Sequence, residues 1–412
     1  MPAVSGPTAP LESLPWFRRL ALGATLFLVT GVYGLIQPYL APFLLGSGLD
    51  RFQINLIGGL SSLLAVAIQP VFGRLSDRID ARRPLMFVAA ISAAIAYHAF
   101  PLVRGTLGFL ALTVIGANGI QYLNTTGGVL IGRLATRSGG GTAYARYRVW
   151  GSVGYVALTL LAGRLLPGGA AASREGIAPV FAYGVPAVLV GIALLTFTIP
   201  DRKALPSPQV DAPAGTGDNA HLNRFLLAFF LYQFALYGAS ANLPLYLAEV
   251  LHATKRDLGT FFAAGVVCEV LVMTQVGKWT DRNGRKPALL FAFLLMPIRL
   301  LCYIPARGAW AATAVQALHG INFGIVGAVA VTVVNDLAAD NARGAAQSRL
   351  AATGGLALAL GQWACGGLLR VSGFPLMFAA MSAVGAIGAL LLWRGFEESH
   401  PELRTRGAAG GA

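Results

Sequence analysis

Residues 73–84 read GRLSDRIDARRP, and residues 277–287 read GKWTDRNGRKP. Each stretch is short, basic and flanked by long apolar runs. Each follows the second apolar run of its half of the chain and precedes the third. The same loop at corresponding places marks an internal repeat, with one set of spans written twice.

Counting outward from these loops gives twelve candidate spans. The first six cover about 20–45, 54–72, 85–103, 107–132, 150–167 and 178–199. The second six cover about 225–250, 258–276, 288–304, 309–338, 349–370 and 374–394. An apolar run of about 20 residues matches the hydrocarbon thickness of a bilayer. The composition agrees: of 412 residues, 56% are hydrophobic and 12% charged, with a mean hydropathy of +0.65. Soluble domains carry about 25% charged residues. Backbone in lipid must satisfy its own hydrogen bonds, so spans are helices or closed barrels. Barrel strands alternate every second residue, and these runs do not. The chain therefore reads as an all-α membrane protein of two six-helix bundles. They cover 1–199 and 223–412, joined by a polar, Pro- and Gly-rich linker at 200–222. The run at 20–45 is too long for the apolar core of a signal peptide and is expected to remain as the first span.

The formal charge of +14 raises the question of nucleic acid as a partner. The placement of the charge answers against it. Twenty-two Lys and Arg fall on the side shared by the termini, six on the other side and two near that side's boundary. This is the bias that orients spans in a membrane, and it places both termini in the cytoplasm. Cys268, Cys302 and Cys365 are far apart inside apolar runs. That spacing suits packing rather than a metal or a disulfide. No cofactor motif is present, and neither HExxH, GxSxG nor a phosphate loop occurs to suggest an enzyme.

The two loops resemble the G-x-x-x-D-R-x-G-R-K loop of the major facilitator superfamily. Twelve spans, cytoplasmic termini and a central linker extend that resemblance over the whole chain. It implies a secondary transporter of the inner membrane that works by alternating access, as a monomer, on a small-molecule substrate. Gly73 and Gly277 would allow close helix approach. Asp77 and Asp281 would cap a helix N-terminus, and Arg78 and Arg282 would pair nearby, together forming a cytoplasmic latch. A narrower resemblance rests on RYRVWGSVGY (146–155), GVVCEVLVM (265–273), QALHGINFG (316–324) and RGAAQS (343–348). This set is similar to the lactose permease-like, nucleoside and phenylpropionate proton symporters.

A charge at the bilayer centre costs about 2.5–3.5 kcal/mol or more, so each buried ionisable group needs a partner or a wet cavity. Glu269 in span 8, Arg299 in span 9 and His319 in span 10 are the groups that stand out. Symporters of the branch named above carry His-x-x-Glu in span 10, where this chain has His319-x-x-Asn322. Glu269 is accordingly expected to carry the proton, paired with Arg299 in the empty site and linked to substrate through His319.

In the fold implied by the resemblance, spans 1, 4, 7 and 10 surround the central cavity. Each carries polar residues at helical spacing. Span 1 has Tyr33 and Gln37, and span 4 has Asn118, Gln121, Tyr122 and Thr125. Span 7 has Gln233, Tyr237 and Asn242, and span 10 has Gln316, His319 and Asn322. Hydrogen bonding between helices without a ligand explains such stripes equally well residue by residue. Amides and phenols suit a neutral polyhydroxylated solute, a sugar or nucleoside. The alternative is proton-coupled efflux of amphipathic or aromatic compounds, since the same fold serves both directions.

Overall fold

A computed structural model describes residues 15–79, 82–136, 141–198, 219–339 and 342–399. Side chains at 76–79, 129–136 and 141–147 lie outside the description. The fold is almost wholly helical. In chain order the helices are α1 (Trp16–Ile36), α2 (Leu40–Gly46), α3 (Arg51–Ile79), α4 (Arg82–His98), α5 (Thr106–Thr136) and α6 (Gly141–Leu165). They continue with α7 (Arg174–Pro179), α8 (Val185–Leu195), α9 (Asn219–Glu249), α10 (Lys255–Asn283) and α11 (Arg285–Cys302). The last three are α12 (Ala309–Leu337), α13 (Arg343–Val371) and α14 (Phe374–Gly395).

Two expected spans are broken helices. Span 1 is α1 and α2, interrupted at Gln37–Pro38–Tyr39, because proline has no N–H to continue the ladder. Span 6 is α7 and α8, joined through one π turn at Val180–Gly184 directly after Pro179. The expected linker ends early, since α9 already includes 219–222; the rest of it lies outside the described residues. Among the described residues, ten spans are long and apolar enough to cross a bilayer. The other two expected spans are α6 and α11, and both carry arginine within their length. Arg148 and Arg164 lie on α6, and Arg299 lies on α11.

The packing repeats with the sequence. In the first half α1 lies along α6, α3 along α5, and α4 against both α5 and α8. In the second, α9 lies along α13, α10 along α12, and α11 against both α12 and α14. Glycine makes the equivalent close approaches. A Cβ on Gly154 of α6 would run into the Phe27 carbonyl of α1, and one on Gly361 of α13 into the Phe234 carbonyl of α9. Backbones can meet this closely only where neither helix presents a side chain.

The halves touch along two seams, α3 with α13 and α6 with α10. Both seams are closed at one end only. Along the first, Gly366 faces Asn55, Gly59 faces Trp363 and Gly355 faces Val66. Further along, Gly73 and Gly344 have no atom within 4 Å of a built Cβ. Along the second, Gly259 and Gly163 meet the backbone of Thr159 and Lys255, whereas no atom of the described residues lies within 4 Å of a Cβ built on Gly277. The molecule is sealed at the end bearing the α3 and α10 N-termini. It is open at the end bearing the two repeated loops.

Candidate functional site

The open cleft ends at a cluster of groups drawn from both halves. Glu269 of α10 is partly exposed and makes no hydrogen bond or ion pair among the described residues. Arg148 of α6 is the basic group whose charge acts on it. The phenols of Tyr155 on α6 and Tyr237 on α9 lie within its electrostatic reach. Tyr155 donates at 2.8 Å to Oε1 of Gln37, which is exposed because Pro38 breaks the helix at that turn. Tyr33 donates at 3.1 Å to Oε1 of Gln121, which is also exposed. Of these groups Gln37 and Gln121 are exposed and Glu269, Tyr33 and Tyr237 partly exposed, whereas Tyr155 is buried.

The expected Arg299–Glu269 pair is absent. Arg299 is 0% exposed, and its Nη1 lies 2.6 Å from Nδ1 of His319. A guanidinium only donates, so Nδ1 accepts and the imidazole proton sits on Nε2. The cause of the difference is helix placement. α10 packs intimately against α12 but barely against α11. Arg299 therefore approaches from behind α12 and meets His319, while Glu269 lies beyond on α10. Among the described residues Nε and Nη2 of Arg299 have no hydrogen-bond partner.

The four polar stripes divide between two tasks. In α5, Gln121 and Thr125 are exposed, but Asn118 and Tyr122 face α3. Asn118 accepts from Gln69 at 3.4 Å and donates to the Val114 carbonyl at 2.8 Å, and Tyr122 packs on Phe72. In α12, Gln316 accepts from Tyr303 at 2.6 Å and Asn322 donates to the Ala292 carbonyl at 2.7 Å. Both residues hold α11 in place. Gln233 of α9 is buried. Asn242 is fully occupied: it exchanges two hydrogen bonds with Asn55 of α3, at 2.7 and 2.9 Å, and donates a third to the Gly238 carbonyl. Asn118, Tyr122, Gln316, Asn322 and Asn242 thus serve helix packing in this conformation, not an open site.

The sealed end contains a gate that the sequence reading missed. Arg51 and Glu249 form a two-pronged ion pair at 3.0 Å, about one helical turn beyond Asn55 on α3 and about two turns beyond Asn242 on α9. At the other seam Tyr39 reaches the carbonyls of Thr159 and Lys255, and Lys255 Nζ donates to the Pro167 carbonyl at 2.9 Å. Arg51 and Lys255 are the first residues of α3 and α10, the second spans of the two halves. The signal was a basic residue at equivalent positions of the repeat.

The repeated loops depart from the expected latch. Gly73 and Gly277 are exposed, and among the described residues no atom lies within 4 Å of a Cβ built on either. Among the described residues Asp281 caps no helix; it is 68% exposed and takes a 2.7 Å hydrogen bond from Arg285. Glu398 caps instead, accepting from the N–H groups of Arg285 and Lys286 at 2.8 and 3.0 Å. Arg282 points to solvent. The side chains of Asp77 and Arg78 lie outside the described residues.

Comparison with known proteins agrees with this architecture. The model of the MFS_1 like family matches residues 19–380. An uncharacterised MFS-type transporter of Mycobacterium tuberculosis is 26% identical, over 95% of this chain and 96% of that one. A maltose permease of Geobacillus stearothermophilus is 24% identical, over 91% of this chain and 94% of that one. A solved structure of a point mutant of the nucleoside transporter NupG superposes with a TM-score of 0.77 at 14% identity, covering 92% of this chain and 100% of that one. With the match spanning most of its length and the helices paired as two repeated sets, the chain belongs to the MFS_1 like family and is a transporter of the major facilitator fold.

Proposed function

We propose that the protein is a proton-coupled symporter of a small polar organic solute, of the sugar or nucleoside class. Two bundles, 1–199 and 223–412, rock about the linker 200–222 to expose one site alternately to each side. The termini lie in the cytoplasm of an inner membrane, as the Lys and Arg bias supports. The sealed end is then external and the cleft faces inward. The protein works as a monomer within the bilayer.

One observation carries this reading: Glu269 is a partly exposed carboxylate with no ion-pair partner among the described residues, and Arg148 of the opposite half is a charge that acts on it. Ionised, Glu269 attracts that guanidinium across the α6–α10 seam; protonated, it releases it. One proton thereby changes the force between the bundles. His319 and Arg299 form the wall behind and transmit substrate contact to the packing of α11. Gln37, Tyr33, Gln121, Tyr155 and Tyr237 offer uncharged donors and acceptors for hydroxyls. The similarity to a maltose permease and to a nucleoside transporter supports the solute class.

The test uses purified protein in liposomes with labelled sugars and nucleosides and an imposed pH gradient. Wild type is expected to accumulate solute against its gradient when the interior is alkaline. Glu269→Gln is expected to lose accumulation yet keep solute exchange at equal concentrations. Undiminished accumulation by Glu269→Gln would sink proton coupling through this residue. Solute expulsion under the same gradient would make the protein an exporter.

A further inference from the structure

At the sealed end a groove of about 500 Å³ opens sideways where α6 meets α10 and α12. A second groove, of about 410 Å³, adjoins it through the shared residues Arg164 and Arg256. Arg164 comes from the end of α6 in the first half, and Arg256 from the start of α10 in the second. Among the described residues neither guanidinium has a hydrogen-bond or ion-pair partner. The groove's own acid, Asp257, forms no ion pair with either: its Oδ2 is turned back to the α10 N-terminus, where it accepts from the N–H and hydroxyl of Thr254 at 2.8 and 2.7 Å. One acid beside two guanidiniums leaves the groove with a net positive charge.

The surroundings identify the chemistry that would fill this groove. Two guanidiniums on one groove favour a phosphate, which each can bind through paired N–H donors. Thr260 and Thr313 line the same groove. Each hydroxyl donates to its own helix, at 3.1 and 2.8 Å, leaving its oxygen free to accept from a ligand hydroxyl. The lining also has an apolar, uncovered part: Leu160, Ala309 and Trp310 belong to it, and Trp310 is 80% exposed. Tryptophan at the end of a spanning helix sits at headgroup depth. A soluble phosphate compound would use none of that apolar part.

We propose that this groove binds the headgroup of an acidic phospholipid, with its phosphate between Arg164 and Arg256 and its glycerol hydroxyls toward Thr260 and Thr313. The lipid bridges the two halves at the sealed end. It therefore favours the conformation in which that end is closed.

Purified full-length protein in a neutral detergent is titrated with short-chain phosphatidylglycerol, with phosphatidylcholine and with inorganic phosphate, and thermal unfolding is followed. Phosphatidylglycerol is expected to raise the melting temperature, and the other two to leave it unchanged. The Arg164→Gln/Arg256→Gln variant should melt like wild type without lipid, because neither side chain has a protein partner. It should need about ten-fold more phosphatidylglycerol for the same shift, corresponding to about 1.4 kcal/mol. Arg104→Gln, an exposed basic residue outside the groove, should respond as wild type does. Retained phosphatidylglycerol counted by native mass spectrometry should fall in the double variant, and this measurement does not depend on its melting behaviour. An equal shift with phosphatidylcholine, an equal response by the double variant, or a shift with inorganic phosphate alone would overturn the proposal.

Discussion

Arg51 and Glu249 join the two halves across the sealed end, with two guanidinium nitrogens on two carboxylate oxygens at 3.0 Å. The guanidinium also lies 5.1 Å from the ring centroid of Phe374 on α14. Further inward, the Asn55–Asn242 amide pair repeats the connection in a fully buried setting. These contacts exist only while this end is shut, so their energy weights the closed side of the conformational equilibrium.

Breaking the ion pair should therefore open the external side. A partly exposed pair is worth about 1 kcal/mol or less, which corresponds to a change of about five-fold in the ratio of the two conformations. The reporter is a cysteine at Gln37, in a background lacking Cys268, Cys302 and Cys365. Arg51→Ala and Glu249→Ala should each speed its labelling by a membrane-impermeant maleimide applied outside, and the charge-swapped double variant should restore the slow rate. Labelling rates identical in all four proteins would show that the pair does not act as a gate.

His319 is the one described hydrogen-bond partner of Arg299, a guanidinium with no exposed surface. Removing the partner of a buried charge costs about 3–5 kcal/mol. His319→Ala should lower the melting temperature sharply, whereas His319→Asn can present a carbonyl oxygen near the position of Nδ1 and should recover most of the loss. Arg299→Met removes the charge along with its need and should cost less than His319→Ala. If His319→Ala melts as wild type does, the contact has no energetic weight.

Two glycines should respond in opposite ways. Gly154→Ala drives a methyl group into the Phe27 carbonyl of α1. Overpacking costs about 1–3 kcal/mol or more, and backbone cannot swing aside as a side chain can. Gly73→Ala meets open space in this conformation, so its melting temperature should match wild type. Its transport rate should still fall if the repeated loops come together in the outward-facing state. Thermal unfolding and initial uptake rates of the two variants provide the comparison, and equal stability losses would contradict the close α1–α6 contact.

Much of the architecture was legible because lipid imposes a rule that acts along one dimension. A backbone in hydrocarbon must be helical and must carry apolar side chains, so the spans could be counted from hydropathy, and two similar loops exposed the repeat. The site was legible in part. Gln37 and Gln121 are exposed and Glu269 partly so, whereas Asn118 and Tyr122 are spaced like their neighbour Gln121 yet face α3. Helical spacing tells which residues share a face, not which helix that face meets.

The amino-acid sequence alone determined the helical membrane class, the doubled arrangement of spans and the presence of an acid, a guanidinium and an imidazole within consecutive spans. Tertiary structure decided that Arg299 meets His319 rather than Glu269, that Asn242 binds Asn55 across the halves, and that Glu398 caps α11 while Asp281 accepts from Arg285. The reason is physical. Burial in lipid is a property of each residue and its near neighbours, but a hydrogen bond needs two groups within about 3 Å. For groups far apart in the chain, only the packing of whole helices sets that distance.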